Sequence, residues 1–229
     1  MSKVDHVLPA FSLSNVEIPV DDDFAWLAAL PPVPDWPISA YESHDSDLSI
    51  AEKIDMICSD QRYKLPKSFV NFIKNPDLHL RIRSSTACFL EFPNYVVETG
   101  GVEHGYLIHF LSDQQWHPNW YLWVNDAGEE RVLLSPWIFG FDPDEFRDGD
   151  IVRTASDFVS STPQPEEMQE PTFDAAGLPN LAAMRMTIYA PTFAEFIYRY
   201  WIGEEIWFAN VGKQPFSPLQ QRYLDGFKR

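Results

Sequence analysis

The spacing of apolar and polar positions changes several times along the chain, and each change predicts an element. Ile50, Ile54, Ile57 and Cys58 recur at helical spacing. Just before them, Ser49 and Glu52 form an S-x-x-E capping box that satisfies free backbone N–H groups at a helix start. A second short helix is expected from Pro66, with Phe69, Val70, Phe72 and Ile73 on its buried side and Asn75-Pro76 as its stop. From Leu80 to Val97 the pattern turns to strands, in RIRSS, CFLEF and NYVVET, and Gly100-Gly101 reads as a turn. The run 106–111, YLIHFL, is apolar at every other position and nearly so between, as expected of a central strand covered on both faces. Residues 112–119 are polar and turn-forming, and WYLWV at 120–124 is the next strand. Asn125-Asp126-Ala127-Gly128 signals a hairpin returning through 131–134, which gives an antiparallel meander.

Two stretches break the periodicity. The first 48 residues hold IPVDDDF and ALPPVPDWP, and proline at that density opposes helix and sheet interiors. They predict an extended arm packing through Phe24, Trp26, Leu27 and Trp36. Residues 141–182 form an acidic insertion, with a short helix expected in 150–160 and a surface loop in 161–179. After it, Pro191-Thr192 with Glu195 predicts a second capping box, and Phe193, Phe196, Ile197 and Tyr200 give one helical face that continues past Gly203 to Trp207. Ser217-Pro218-x-Gln220 caps a terminal helix carrying Leu219, Tyr223, Leu224 and Phe227. Helices before and after a run of strands imply an α+β fold, a mainly antiparallel sheet with helices packed against it. The organisation expected is an arm over 1–48, a domain over 49–209 and a C-terminal helix over 210–229.

Charge changes the picture more than size does. The 229 residues carry 17 basic and 34 acidic side chains, a net charge of −17. Residues 1–60 hold 12 acidic against 2 basic, and residues 141–174 hold 10 against 2, so two segments carry the whole excess. Such a surface keeps a protein soluble and steers basic partners. It disfavours direct binding to nucleic acid, which needs clustered Lys and Arg. Cys58 and Cys88 are too few and too far apart for a disulfide framework, and both are expected as reduced, buried thiols. The start MSKVDHVLPAF lacks the apolar core of a secretory signal, and no run of 18 apolar residues suggests a membrane span. A cytoplasmic protein is expected.

Candidate chemistry is sparse. His104, His109 and His117, with Asp113, have spacings that allow a zinc site and hence a metal-dependent hydrolase. His109, however, sits inside an apolar strand, where a structural histidine is commoner. Cys88 with a histidine is a candidate thiol nucleophile without an activating context, and Asp113 with Asp126 a candidate acid–base pair in turn settings. No phosphate-binding glycine loop or nucleophile elbow is present. No cofactor is expected. Trp116, Trp120, Tyr121 and Trp123 fit core packing first, with some rings left to line a groove for a partner.

The order of these motifs resembles one family. A capped helix is followed by Leu65-Pro66-x-x-Phe69-x-x-Phe72-Ile73, then strands, then LIHFLSDQQ at 107–115. Next come Trp120-Tyr121-Leu122, the turn with Gly128, a returning strand, and the helix Ala190-Pro191-Thr192-Phe193-Ala194-Glu195-Phe196-Ile197. Over residues 49–209 this is similar to the SMI1/KNR4 family of the SUKH superfamily. The turn after Asp113 departs from the family's glycine-rich form. The resemblance implies an SMI1/KNR4-like sheet with packed helices and a non-enzymatic, protein-binding role. Bacterial members are toxin-neutralising immunity proteins and fungal members are scaffolds. The expected function is therefore an immunity protein that binds and neutralises a basic toxin, with a regulatory or scaffold protein as the alternative. Candidate partner-binding residues are Asp113, Trp116, His117, Trp120, Asp142, Asp144 and Glu145.

Overall fold

The computed structural model describes residues 21–40, 48–60, 62–92, 96–100, 104–115, 118–135, 152–153 and 186–226. The fold is α+β. Its helices are α1 (Ala25–Ala28), α2 (Ile50–Ser59), α3 (Lys67–Ile73), α4 (Pro76–His79), α5 (Phe193–Val211) and α6 (Pro218–Gly226). Its strands are β1 (Ser39–Ala40), β2 (Phe89–Leu90), β3 (Val96–Thr99), β4 (Gly105–Ser112), β5 (Asn119–Val124), β6 (Glu130–Ser135), β7 (Val152–Arg153) and β8 (Thr187–Ala190). They form one sheet in the order β1-β2-β4-β5-β6-β8, with β3 also paired to β4 and β7 to β3. The pairing is antiparallel except at β1–β2 and β3–β7.

The meander β4-β5-β6 is the centre of the sheet, and every residue of β4 and β5 is buried. Its turn needs Gly128, whose φ of 82° lies in the left-handed region. Gly105 is required by close approach: a Cβ there would meet the Val124 carbonyl oxygen at 2.5 Å. A bulge between His109 and Leu111 decides the faces. Because of it, Phe110 and Leu111 both join the helix-side core, and Ser112 returns to the same face as His109.

On the helix side, α3 and α5 cover the sheet with aromatic rings. Phe193 lies 4.9 Å from Phe69, 5.3 Å from Phe110 and 5.7 Å from Phe72, centroid to centroid. These edge-on contacts add to the burial that stabilises the core. Thr192 caps α5 by accepting from Glu195 N, and Glu130 of β6 accepts from Phe193 N. The box predicted here closes on one side only, because the Glu195 carboxylate is drawn to Arg199 one turn on. The boxes at Ser49/Glu52 and Ser217/Gln220 are reciprocal.

Several expectations need correction. Residues 81–85 are not a strand. Their neighbour is the proline-rich segment before β1, which lacks the N–H groups to extend a ladder beyond the single bridge Pro37–Arg83. That segment is not wholly extended either: α1 forms within it, and Phe24 and Leu27 are fully buried. Trp36 was expected to pack but is 61% exposed. Cys58 is exposed rather than buried, since the buried stripe of α2 narrows to Ile54 and Ile57. Within 150–160, residues 152–153 are strand, not helix, and pair with β3. Gly101, Phe227 and the loop 161–179 lie outside the described residues. The boundary drawn at 209 falls inside α5, which runs without a break past Gly203 to Val211.

Candidate functional site

The predicted turn after β4 closes one end of the sheet. Ser112, Asn119 and Ser135 stand side by side on three neighbouring strands, and none is exposed to solvent. Ser112 Oγ donates to Asn119 Oδ1 at 2.8 Å and lies 2.8 Å from His109 Nε2. The hydroxyl has one proton, so Nε2 of His109 donates in turn to Ser112. His109 is 4% exposed and stacks on Tyr121 at 4.9 Å. Burial pushes its pKa down to about 4, which keeps the imidazole neutral. A serine–histidine pair exists here, but it is sealed inside the sheet.

Asp113 is also buried, and its Oδ1 accepts from Gln115 N at 2.9 Å. That bond shapes the turn rather than presenting a carboxylate. Trp120 faces the helices, edge-on to Tyr200 at 6.0 Å, and its indole N–H has no hydrogen-bond partner. Of the other candidates, Trp116, His117, Asp142, Asp144 and Glu145 lie outside the described residues.

The turn abuts a loop that sequence reasoning missed. Thr86 O accepts from Gln114 N at 3.4 Å. Tyr200 Oη donates to Ser84 Oγ at 3.0 Å, and the same oxygen accepts from Cys88 N at 2.7 Å. Glu204 accepts from Ser85 N at 2.6 Å. Burial raises the pKa of the Cys88 thiol and of Glu204, so the thiol stays protonated. A run of small polar residues, Ser84-Ser85-Thr86, was its only signal in the sequence.

The alternative constellations do not assemble from the described residues. His104 and His109 are five apart across a strand, so they project from opposite faces. His104 contacts Tyr106 and Glu98, while His109 stacks on Tyr121. Among the described residues, no group of three or more His, Cys, Asp or Glu is arranged to hold a metal ion. Asp113 and Asp126 sit in the turns at opposite ends of β5, which separates the proposed acid–base pair by the length of the strand. The far end of the sheet brings together Tyr63, Glu98, Tyr106 and Asp126, a grouping the sequence does not reveal. Among the described residues, no helix is long and apolar enough to cross a membrane. No protein-family model, no curated protein and no solved structure matches the chain.

Proposed function

We propose that the chain is a non-enzymatic protein-binding domain of SMI1/KNR4-like type, acting as an immunity protein that neutralises a basic toxin. The observation that carries this reading is the charge: −17, with the excess concentrated in two segments. A surface of that sign attracts a cationic protein, raises its on-rate and opposes anionic ligands. The mechanism asked of it is occlusion, for which no catalytic group is required. The tied-up state of His109 and Cys88 favours binding over hydrolysis. So does the opposed placement of His104 and His109.

The test is affinity capture of the chain's partner from its own host, at low and at moderate salt. A stoichiometric protein partner is expected, held less tightly as salt screens the charges. Expressed alone, that partner should arrest growth, and co-expression of this chain should relieve the arrest. A harmless stoichiometric partner would move the reading to a regulatory or scaffold protein. Recovery of no protein partner at either salt would sink it.

A further inference from the structure

The end of the sheet away from the Asp113 turn carries an aromatic floor rimmed by carboxylates. Tyr106 is the second residue of β4, and Glu98 of β3 is its direct partner across the ladder. Tyr63, in the segment after α2, meets Tyr106 edge-on at 4.7 Å. Asp126, in the β5–β6 turn, together with Glu98 and Asp60 shares the field around the Tyr106 hydroxyl. The charges of Arg62, Asp60 and Glu98 act on the Tyr63 hydroxyl as well, and Lys64, the next residue, reaches the Asp126 turn. Tyr63 is only 4% exposed, and its hydroxyl has no hydrogen-bond partner. A buried hydroxyl without a partner costs stability and is uncommon unless something else satisfies it.

The chain itself indicates the chemistry that fits. The Arg62 guanidinium lies 5.3 Å above the Tyr63 ring and reaches Asp60 through two nitrogens, while the side chain stays 58% exposed. A guanidinium is planar, stacks on aromatic faces and bonds a carboxylate in fork geometry. Other charged groups nearby have partners of their own. Lys64 Nζ donates to the backbone carbonyl of Asp126, not to its carboxylate. Glu98 meets the His104 imidazole at 3.0 Å. Neither Glu98 nor Asp126 forms a Lys or Arg ion pair among the described residues.

We propose that Tyr63, Tyr106, Glu98 and Asp126 form a docking cradle for an arginine side chain of a basic protein partner, a place Arg62 holds in the free chain. The incoming guanidinium displaces Arg62 from the Tyr63 face and pairs with Glu98 and Asp126. The Tyr63 hydroxyl donates toward the same carboxylates as the cradle closes. Burial raises the pKa of both tyrosines, that of Tyr63 to about 12, so both hydroxyls remain donors at neutral pH. This inference rests on the protein-binding reading above and supplies it with a specific contact.

The probe is a hexa-arginine peptide titrated into the full chain by calorimetry at low salt. Glu98→Gln combined with Asp126→Asn should weaken binding about fivefold to tenfold, the scale of two exposed charge pairs. Asp22→Asn combined with Asp35→Asn removes the same two charges elsewhere and should change it less than about twofold. Arg62→Ala should strengthen binding, because it vacates the cradle, whereas a merely structural Arg62 would leave affinity unchanged or lower it. Equal losses from both double variants, or no gain from Arg62→Ala, would overturn the cradle. Unchanged thermal midpoints serve as the folding check, and Glu98→Gln alone replaces the pair if the pair unfolds. If the cradle variants capture the host partner as well as the unmodified chain does, the cradle falls while the protein-binding reading stands.

Discussion

The two ends of the β4-β5-β6 meander each gather polar groups beside a tyrosine and do different things with them. At the Asp113 end, His109, Ser112, Asn119 and Ser135 are buried, and the bonds among His109, Ser112 and Asn119 are short and internal. At the Tyr106 end, Glu98 and Asp126 stand at the rim of an aromatic floor, and the Arg62 guanidinium near them is more than half exposed. Buried polar groups must be satisfied where they lie, so the first end stabilises one arrangement. Exposed charges contribute little to folding and remain available to a partner. A histidine beside a serine is therefore weaker grounds for function here than two carboxylates beside a tyrosine. Burial separates the two cases.

The first way to test that contrast is to remove what both ends share. Phe193 packs against Phe24, Phe69, Phe72, Phe110 and Phe196 beneath the whole meander. Phe193→Ala should cost about 3–5 kcal/mol and destabilise both ends together. Urea unfolding followed by tryptophan fluorescence measures it, and a loss below about 1 kcal/mol would mean the ends do not rest on one core.

Acid should then separate them. His79 and His109 are buried, and desolvation lowers both pKa values to about 4 from an ordinary 6.5. Between those values the unfolded chain binds more protons than the folded one, so stability rises with pH. The contribution is complete above about pH 6.5 and is lost as pH falls toward 4, roughly 2 kcal/mol for each imidazole by pH 5. Urea midpoints at pH 7 and pH 5 should show the loss, and His109→Gln should remove about half of the pH dependence. An unchanged midpoint at pH 5 would show that the Asp113 end admits water.

A smaller effect isolates the polar row. Asn119→Ala leaves Ser112 without its acceptor inside the sheet and should cost about 1–3 kcal/mol. Hydrogen exchange should accelerate in the turn after β4 and leave Tyr106 protected. Equal acceleration at both ends would make the row part of a general unfolding unit.

Much of the fold was legible because local signals agreed with the packing. The Ser49/Glu52 box, the proline start of α3, the Gly128 turn and the spacing of α5 each act over a few residues, and each element formed. The site was legible only in part. Asp113 and Trp120, both among the candidate partner-binding residues, are buried. The bulge at Phe110 puts Ser112 beside His109, and a period-two reading places residues three apart on opposite faces. The Tyr106 cradle depends on the β3–β4 register and on the path of the chain after α2. Glu98, Tyr106, Asp126 and Tyr63 are scattered in sequence, and no local pattern joins them.

The smallest expected effect on stability gives the sharpest distinction. Glu98→Gln with Asp126→Asn removes two partly screened carboxylates and no buried contact, so stability should change by less than about 0.5 kcal/mol. The same variant is the one expected to lose affinity for an arginine peptide. Asn119→Ala should show the reverse, a clear loss of stability with peptide affinity retained in the folded fraction. Measuring both quantities on both variants crosses the two ends of the sheet against two properties. If Glu98 and Asp126 prove to cost more than about 1 kcal/mol in folding, their charges are part of the scaffold. In that case the Tyr106 end is a second structural cluster, and the binding surface has to be sought elsewhere on the chain.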